Sequence, residues 1–202
     1  MAATPMTAAT ISAAMEATAA KIKPNDPSPF RKGDVVVYPT HGVGRVDRVG
    51  PEEIAGYRLN LIHISFEDNQ MTLRVPVAQA RAAGLRKLAS REALAAATAL
   101  LTGRPRVSRL MWAKRAQEYL AKINTGDPKA LAEVVRDLQS ASDGSSSTSQ
   151  RNLFELALDR LAGEFAAVHR IARSDAIETL NRTLAESRAD SPRERPPPTP
   201  DE

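Results

Sequence analysis

The 202-residue sequence contains no cysteine and few aromatic residues, which make up only 4% of the chain. The lack of cysteine excludes disulfides, thiolate zinc sites, iron–sulfur clusters and cysteine nucleophiles. Because aromatics are scarce, hydrophobic cores must consist mainly of Leu, Val, Ile and Ala. The hydrophobic fraction of 42% is sufficient for such cores in one or two domains of modest size.

Long apolar runs are also absent, since no stretch approaches the roughly 20 residues that span a membrane. Residues 1–22 are rich in Ala and Thr, lack a basic start and have apolar residues interrupted by Thr and Ser, which makes them a poor signal peptide. We therefore expect a cytoplasmic protein without membrane contact. A net charge of +4 permits contact with phosphates, although a protein that coats DNA would carry a larger excess.

No arrangement of residues indicates catalysis. His41, His63 and His169 are far apart in sequence, and none has a second ligand at metal-binding spacing. His63 lies between two isoleucines and is expected to be a packed strand histidine. Glu52 and Glu53 are adjacent and should point apart on an extended chain, so they do not form an acid–base pair. We expect no enzyme activity, no metal or cofactor, and no small-molecule ligand.

Composition and periodicity divide the chain into four parts. Residues 1–28 end in KPNDPSP and are predicted to be a disordered extension. Residues 29–88 have the pattern of a β-domain, and residues 90–187 have the periodicity of a helical domain. Residues 188–202, RADSPRERPPPTPDE, are charged and proline-rich and are predicted to be a disordered tail. The predicted fold class is therefore α+β, with the β-domain first.

The β-domain pattern contains five short strands. They are Val35–Tyr38, a strand through Val46 and Val49, Tyr57–Phe66, a strand with Met71, Leu73 and Val75 on one face, and a short strand within Leu85–Leu88. Residues 42–44, Gly-Val-Gly, lack the third glycine of a phosphate-binding loop and predict a hairpin turn. The apolar residues of the third strand change phase after Leu61, which a β-bulge or burial on both faces explains. Alternation points Arg74 outward, and the strand count is typical of a small SH3-like or Tudor-like barrel.

The helical domain is predicted to contain about five helices. They are a helix from the cap Ser90 to about Leu101, one from Ser108 to about Asn124, one that starts at Asp127-Pro128 and buries Leu131, Val134, Val135 and Leu138, a long one with Leu153, Leu156, Ala157, Leu161, Phe165 and Val168 inward, and a last one capped by Ser174 or Asp175. Gly126 follows the second helix as a C-terminal stop. Residues 140–149 are predicted to be a polar loop.

The most informative segment is Arg104–Lys122, which contains the only tryptophan and no acidic residue before Glu118. Its candidate DNA-binding cations are Arg104, Arg106, Arg109, Lys114, Arg115 and Lys122. Helical spacing gives a core face of Ala113, Ala116, Leu120 and Ile123, and a neighbouring stripe of Trp112, Arg115, Tyr119 and Lys122. From spacing alone, Trp112 fits the edge of the core as well as it fits stacking on DNA bases.

Two blocks of sequence carry a family resemblance. The first contains FRKGDVVVYPTHGVGRV, IAGY and MTLRVPVAQARAAGLRKL, and the second contains MWAKRAQEYLAKINTGD, LAEVVRDL and QRNLFELALDRLAGEFAAV. In order and spacing, across residues 30–185, they resemble the CarD family of CdnL-type bacterial transcription regulators. Transcription-repair coupling factors carry a module similar to the first block, but the basic tryptophan helix and EVVRDL distinguish this chain from them.

For the β-domain, the resemblance implies binding to the β subunit of RNA polymerase near its upstream lobe. The arginine of the family's Arg-Val-Pro motif corresponds to Arg74. A second polymerase-contacting region corresponds to the predicted loop Glu52–Gly56, with Ile54 as an apolar contact. Some relatives have a basic residue where this chain has Glu52.

For the helical domain, the resemblance implies contact with promoter DNA at the upstream edge of the transcription bubble. The family's tryptophan corresponds to Trp112, and the basic residues after it correspond to Lys114 and Arg115. A polar residue often precedes this tryptophan in relatives, whereas this chain has Met111. The implied function is a regulator that stabilises the promoter open complex, is monomeric when free, and reaches the nucleoid through polymerase. The alternative is an adaptor on polymerase whose helical domain binds another protein.

Overall fold

The computed structural model describes residues 28–54, 56–67, 70–106, 108–139 and 147–189. These residues separate into two compact units. The first contains the described residues up to Val36 together with Gly44–Arg86, and the second contains Val37–Val43 and the described residues from Lys87 onward. The predicted N-terminal extension, the tail beyond residue 189 and most of the polar loop lie outside the described residues, so these three stay predictions.

The strands form one five-stranded sheet. They are β1 (Val35–Tyr38), β2 (Gly42–Ile54), β3 (Tyr57–Phe66), β4 (Met71–Pro76) and β5 (Arg86–Lys87). Their order in the sheet is β4-β3-β2-β1-β5, with β2 antiparallel to β3 and β3 antiparallel to β4. This arrangement confirms the predicted small β-domain, and β1 and β3 have the predicted bounds.

Close packing between β2 and β3 fixes the core of the sheet. A Cβ atom on Gly44 would come within 2.7 Å of Ile64 and 2.8 Å of Phe66, so only glycine fits there. The register of β2 against β3 shifts between Val46 and Arg48, which places one extra residue in β2. Leu61 and Ile62, which are adjacent on β3, are both buried. The bulge therefore lies on β2, opposite His63 and Ile64, and not at the phase change of β3. Of the two predicted explanations, burial on both faces accounts for that change, because these adjacent residues are both buried.

Two features of the β-domain differ from the sequence prediction. The region Glu52–Gly56, predicted as a loop, is largely strand, because β2 continues to Ile54. Backbone pairing of Glu52 with Leu59 extends the β2–β3 ladder to this point. A short helix, α1 (Val77–Ala80), follows β4. Its four residues are too few to show helical periodicity in the sequence.

The described residues of the second unit form five further helices, as predicted. They are α2 (Arg91–Ala99), α3 (Trp112–Ile123), α4 (Pro128–Asp137), α5 (Thr148–His169) and α6 (Arg173–Ala189), with a 3-10 turn at Leu100–Thr102. Ser90 caps α2 and Asp127 caps α4, each by accepting a hydrogen bond from a backbone N–H three residues later. Within the described ranges, no helix is long and apolar enough to cross a membrane.

Apolar faces of these helices meet in a separate core. All four residues predicted to face inward on α4 are buried. On α5, Ala157 and Leu161 are buried as predicted, but Phe154 and Leu158 are buried as well. Leu153, placed inward by the sequence pattern, is only partly buried. The buried face of α5 is therefore centred about one residue later than the pattern indicates.

The helix α3 begins four residues later than predicted. The Ser108 hydroxyl accepts a hydrogen bond from the Leu110 N–H, only two residues on. This bond forms a local turn, because a helix cap would bind the N–H three residues on. Met111 has an extended backbone, with φ −58° and ψ 147°, and is the last residue before the helix. Arg109 consequently lies in the segment before α3 and not on it.

The last helix also starts differently from the prediction. Because α6 begins at Arg173, Ser174 and Asp175 lie in its first turn and neither is its cap. The Ser174 hydroxyl lies 3.1 Å from Asp175 Oδ1. A carboxylate in the first turn is favourable beside the positive end of the helix dipole. The helix continues to Ala189, two residues into the predicted tail.

Candidate functional site

Four charged or ionisable side chains meet on the β-domain, and we call them the Glu52 cluster: Arg48, Glu52, His63 and Arg74. The Arg74 Nη1 donates a hydrogen bond to Glu52 Oε1 at 3.2 Å. The other carboxylate oxygen, Oε2, lies 2.9 Å from His63 Nε2 and 3.4 Å from Arg48 Nη2. The register aligns Arg48, His63 and Arg74 across three neighbouring strands. One carboxylate therefore sits among three nitrogen-bearing side chains.

The Glu52 cluster exposes its arginines and shields its acid. The side chains of Arg48 and Arg74 are 62% and 58% exposed, whereas that of Glu52 is only 25% exposed. Arg74 thus points outward, as predicted. Exposed ion pairs contribute about 0–1 kcal/mol, so an acidic partner can compete with Glu52 for Arg74. Ile54 lies two residues beyond Glu52 on the same strand and hence on the same face.

The segment between the 3-10 turn and α3 carries three predicted DNA-binding arginines, and we call its described residues, 103–106 and 108–111, the basic strap. Arg104, Arg106 and Arg109 are all exposed there. The Arg106 N–H donates to Asp137 Oδ1 at 2.8 Å. The same oxygen lies 2.8 Å from Arg136 Nε and 2.7 Å from Arg136 Nη2. An ion pair at the end of α4 therefore holds the middle of the strap.

The positioning role of Arg136 and Asp137 is absent from the sequence prediction. Both side chains are buried, at 7% and 4% exposed, so their charges depend on each other. The strap begins close to this pair, since a Cβ atom on Gly103 would lie 3.5 Å from Arg136 Cδ. The sequence does contain a signal for this pair, because in EVVRDL two adjacent residues of opposite charge, Arg136 and Asp137, end an otherwise apolar helix face. The family resemblance marked the motif but gave it no role.

Trp112 is the first residue of α3 and lies half-buried against the helical core. The Arg115 guanidinium carbon is 5.5 Å from the centroid of its ring, within cation–π distance. The core therefore holds part of the indole and Arg115 covers part, while the remainder is accessible. The two interpretations that the sequence left open, core edge and exposed contact, both describe part of this ring.

The buried face of α3 differs from the predicted one. Leu120, predicted to be core, is 43% exposed, and Ala113 is also exposed. Tyr119, predicted to lie on the neighbouring stripe, is buried together with Ile123. Burial, with the nearby Asp137 carboxylate, raises the pKa of the Tyr119 hydroxyl. The buried face of α3 is rotated from the predicted face because the large ring of Tyr119 offers more apolar area for burial than an alanine.

Lys122 is engaged in an ion pair with α4. Its Nζ lies 2.6 Å from Glu133 Oε2. The hydrogen bond from Lys122 lowers the pKa of Glu133, although partial burial acts in the opposite direction. The side chain that the sequence assigned to DNA thus has its charge balanced within the fold. The exposed cations of the candidate site, which we call the basic surface, are Arg104, Arg106, Arg109 and Lys114.

Each histidine has a structural neighbour. His41 stacks on Tyr38 with ring centroids 5.5 Å apart, and His169 lies 4.2 Å from the ring of Phe165. His63 belongs to the Glu52 cluster, and its side chain is 12% exposed. Among the residues that the structure describes, no group of three His, Asp or Glu side chains is placed to hold a metal ion.

Comparison with known proteins gives matches to both parts of the chain. Residues 30–89 match the family model of the CarD-like/TRCF RID domain, and residues 96–181 match that of the CarD C-terminal domain. YdeB of Bacillus subtilis (strain 168), whose name marks it as a candidate transcription factor, is 25% identical over 140 residues, covering 69% of this chain and 92% of YdeB. The solution NMR structure of the 72-residue N-terminal domain of Myxococcus xanthus CarD is 33% identical and covers 31% of this chain and 84% of that domain, with a TM-score of 0.26.

An antiparallel β-domain followed by a helical domain, matched in that order by the two models, defines a transcription regulator linked to RNA polymerase. The chain belongs to the CarD family. The resemblance found in the sequence is thereby confirmed. This family is of the transcription-factor type, and the lack of enzyme activity stays a prediction.

Proposed function

We propose that this protein docks on the β subunit of RNA polymerase through its β-domain and stabilises the promoter open complex through its helical domain. The helical domain contacts DNA at the upstream edge of the transcription bubble. The observation that carries the proposal is the combination, in one short segment, of four exposed cations and a partly exposed tryptophan. Cations bind phosphates and an aromatic ring stacks on unpaired bases, so this combination suits partly opened DNA.

Docking uses the exposed side of the Glu52 cluster. Arg74 and Arg48 present two guanidinium groups that fit carboxylates on a partner surface. Ile54 adds an apolar contact on the same face. Glu52 binds Arg74 and therefore competes with the partner's carboxylates for it, which limits the strength of docking. Specificity for the β subunit rests on the family resemblance.

Tethering explains why a modest basic surface is sufficient. Binding through three phosphates gives affinity that falls about 40-fold between 50 and 200 mM salt, from a slope near −0.9 per phosphate. DNA contact of this kind is weak on its own. Docking on polymerase makes it intramolecular, at an effective concentration up to about millimolar. Polymerase and its sigma factor choose the promoter, so the helical domain needs no base code.

Trp112 supplies the contact that distinguishes open from closed DNA. Its accessible edge stacks against a base step at the upstream fork, reached from the minor groove. Packing against the core and under Arg115 fixes the ring before DNA arrives, so little side-chain entropy is lost on binding. A gain of only about 1.4 kcal/mol in the open state changes the open/closed equilibrium tenfold.

The proposal is tested by the lifetime of open complexes formed by purified polymerase with and without the full-length protein. We expect a longer lifetime with the wild-type protein. Arg74→Glu should require a higher concentration for the same effect, because it reverses the charge at the docking face while remaining exposed. Unchanged lifetimes at saturating wild-type protein would refute the function.

A second function is favoured by the exposed apolar residues beside the tryptophan. Leu110 and Met111 are 42% and 80% exposed, which also suits a protein partner. In that case the helical domain is an adaptor. Salt dependence separates the two functions: a steep loss of DNA binding with salt supports phosphate contact, and a flat response supports the adaptor.

A further inference from the structure

Met111 is the most exposed large hydrophobic residue among those the structure describes. Its side chain is 80% exposed, compared with 42% for Leu110 and 43% for Leu120. It occupies the N-cap position of α3, where Ser, Thr, Asp or Asn would bind a free backbone N–H and Met cannot. At this position α3 therefore lacks a side-chain cap, and an apolar side chain is exposed to solvent instead.

Trp112, the next residue, differs from Met111 in how firmly the fold holds its side chain. Trp112 is held against the helical core and by Arg115, so only part of its ring is accessible. Met111 precedes it on extended backbone and reaches into solvent. Of the two adjacent apolar residues, the tryptophan is therefore fixed and the methionine projects.

The charged residues on either side of Met111 indicate which kind of partner binds its side chain. Arg109 lies two residues before it and Lys114 three residues after it, and both are exposed. From Arg104 to Gln117, the chain has no acid that would repel a phosphate backbone. An apolar tip between cations fits an opened nucleic-acid duplex, where phosphates flank an unstacked apolar base step.

We propose that Met111 is a second wedge, which inserts at the upstream fork beside the base step that Trp112 stacks on. This inference rests on the proposed function and adds to it a residue and a mode of contact. Methionine is unbranched and polarizable, so it can follow an irregular gap between partly unstacked bases. Met is among the apolar side chains that proteins insert between base steps. The specificity is for distorted or opened DNA and not for sequence.

The test uses full-length protein, polymerase holoenzyme and a promoter with a fluorescent base analogue at the upstream fork. Met111→Asn should shorten the open-complex lifetime about fivefold and lower the fluorescence change at the fork, because an amide cannot replace an apolar wedge. Met111→Leu should stay within about twofold of wild type, since it retains an apolar side chain of similar volume. Leu120→Asn is the matched control, an exposed apolar residue on the same helix, and should leave the lifetime unchanged.

Three outcomes overturn the inference, each in a distinct way. If the wild-type protein lengthens the lifetime and Met111→Asn does so equally, the wedge is rejected and the proposed function stands. If the wild-type protein has no effect, the proposed function fails and the wedge with it. If Met111→Asn loses binding to polymerase without DNA, Met111 contacts protein. The melting temperature of each variant is measured alongside. Met111→Leu and Leu120→Asn should match wild type, and Met111→Asn should melt at or slightly above the wild-type temperature because Asn can cap α3, so a shorter lifetime with that variant does not come from lost stability.

Discussion

At the scale of single residues, the site is governed by which charges are already paired within the fold. Glu52 is paired with Arg74 and contacts His63 and Arg48. Lys122 is paired with Glu133. Residue type alone marks all of these as candidates for binding a partner. Side-chain exposure, together with the pairing distance, separates Arg74, which is 58% exposed, from Lys122, which is 41% exposed and closer to its carboxylate.

Replacing Glu52 with Gln should strengthen docking on polymerase. The change removes the carboxylate that competes for Arg74 and raises the positive charge of the cluster, so we expect affinity for the β subunit to rise about threefold at low salt. Glu53→Gln makes the same charge change on the opposite face of the strand and should have a smaller effect. Titration calorimetry or fluorescence anisotropy checks this. Weaker binding of Glu52→Gln would mean that Glu52 itself contacts polymerase.

The ion pair between Lys122 and Glu133 predicts a specific pH dependence. The pKa of Glu133 is lowered in the folded state, chiefly by the hydrogen bond from Lys122. The pair therefore adds stability above the ordinary glutamate pKa, and this stability is lost as pH falls through the lowered folded pKa. NMR titration of the Glu133 carboxyl carbon should show the low value. In Lys122→Met the pKa should rise towards the ordinary one, and an unchanged value would contradict the pairing.

At the scale of secondary structure, signals confined to a few neighbouring residues predicted the elements well. Ser90 and Asp127 cap the helices that the sequence assigned to them, and the hydrophobic face of α4 is the predicted one. Strand β3 was likewise predicted with its observed bounds. These features depend on local spacing, which the sequence shows directly.

The sequence predictions are wrong at two kinds of position. At one kind, a residue type fits two different local structures, and at the other, contacts between residues distant in sequence determine the structure. Ser108 has the composition of a helix cap, but its hydroxyl binds the Leu110 N–H instead. The sequence predicts a loop at Glu52, whereas cross-strand pairing extends β2 beyond it. Of the site, the outward position of Arg74 followed from alternation. The anchoring of the strap by Asp137 did not, because the contact joins residues 31 apart in the chain.

The buried pair at the end of α4 should control the basic strap. Asp137→Asn leaves the Arg136 charge buried without its partner and weakens the acceptor of the Arg106 N–H, so we expect a loss of about 3–5 kcal/mol in unfolding free energy. The double variant Arg136→Met/Asp137→Leu should recover much of that stability, because it removes both charges. Thermal melting measures this effect.

DNA binding separates anchoring from stability in the same variants. The double variant should remain deficient in salt-sensitive DNA binding, since the strap is no longer anchored to Asp137. Wild-type DNA affinity in the stable double variant would show that the buried pair does not position the strap.

At the scale of the whole molecule, two units carry two kinds of chemistry. The first bears the Glu52 cluster, and the second bears the basic surface with Trp112 and Met111. The boundary after Arg86 falls close to the predicted junction at residues 88–90, but Val37–Val43 group with the helical unit. Sequence periodicity could not show that grouping, because these residues have the pattern of a strand and turn. In our account, docking on polymerase determines the protein concentration at which the helical domain contacts DNA. The DNA contact determines how much the docked protein stabilises the open complex.

The most direct test of this account is the open-complex lifetime measured as a function of protein concentration for the wild type, Arg74→Glu and Trp112→Ala. Arg74→Glu should raise the half-maximal concentration and reach the same plateau, since only docking is weakened. Trp112→Ala should lower the plateau at an unchanged half-maximal concentration, because docked protein no longer favours the open state. Melting curves would correct for the stability lost with the half-buried ring. A Trp112→Ala plateau equal to that of the wild type, with only the half-maximal concentration shifted, would contradict the account.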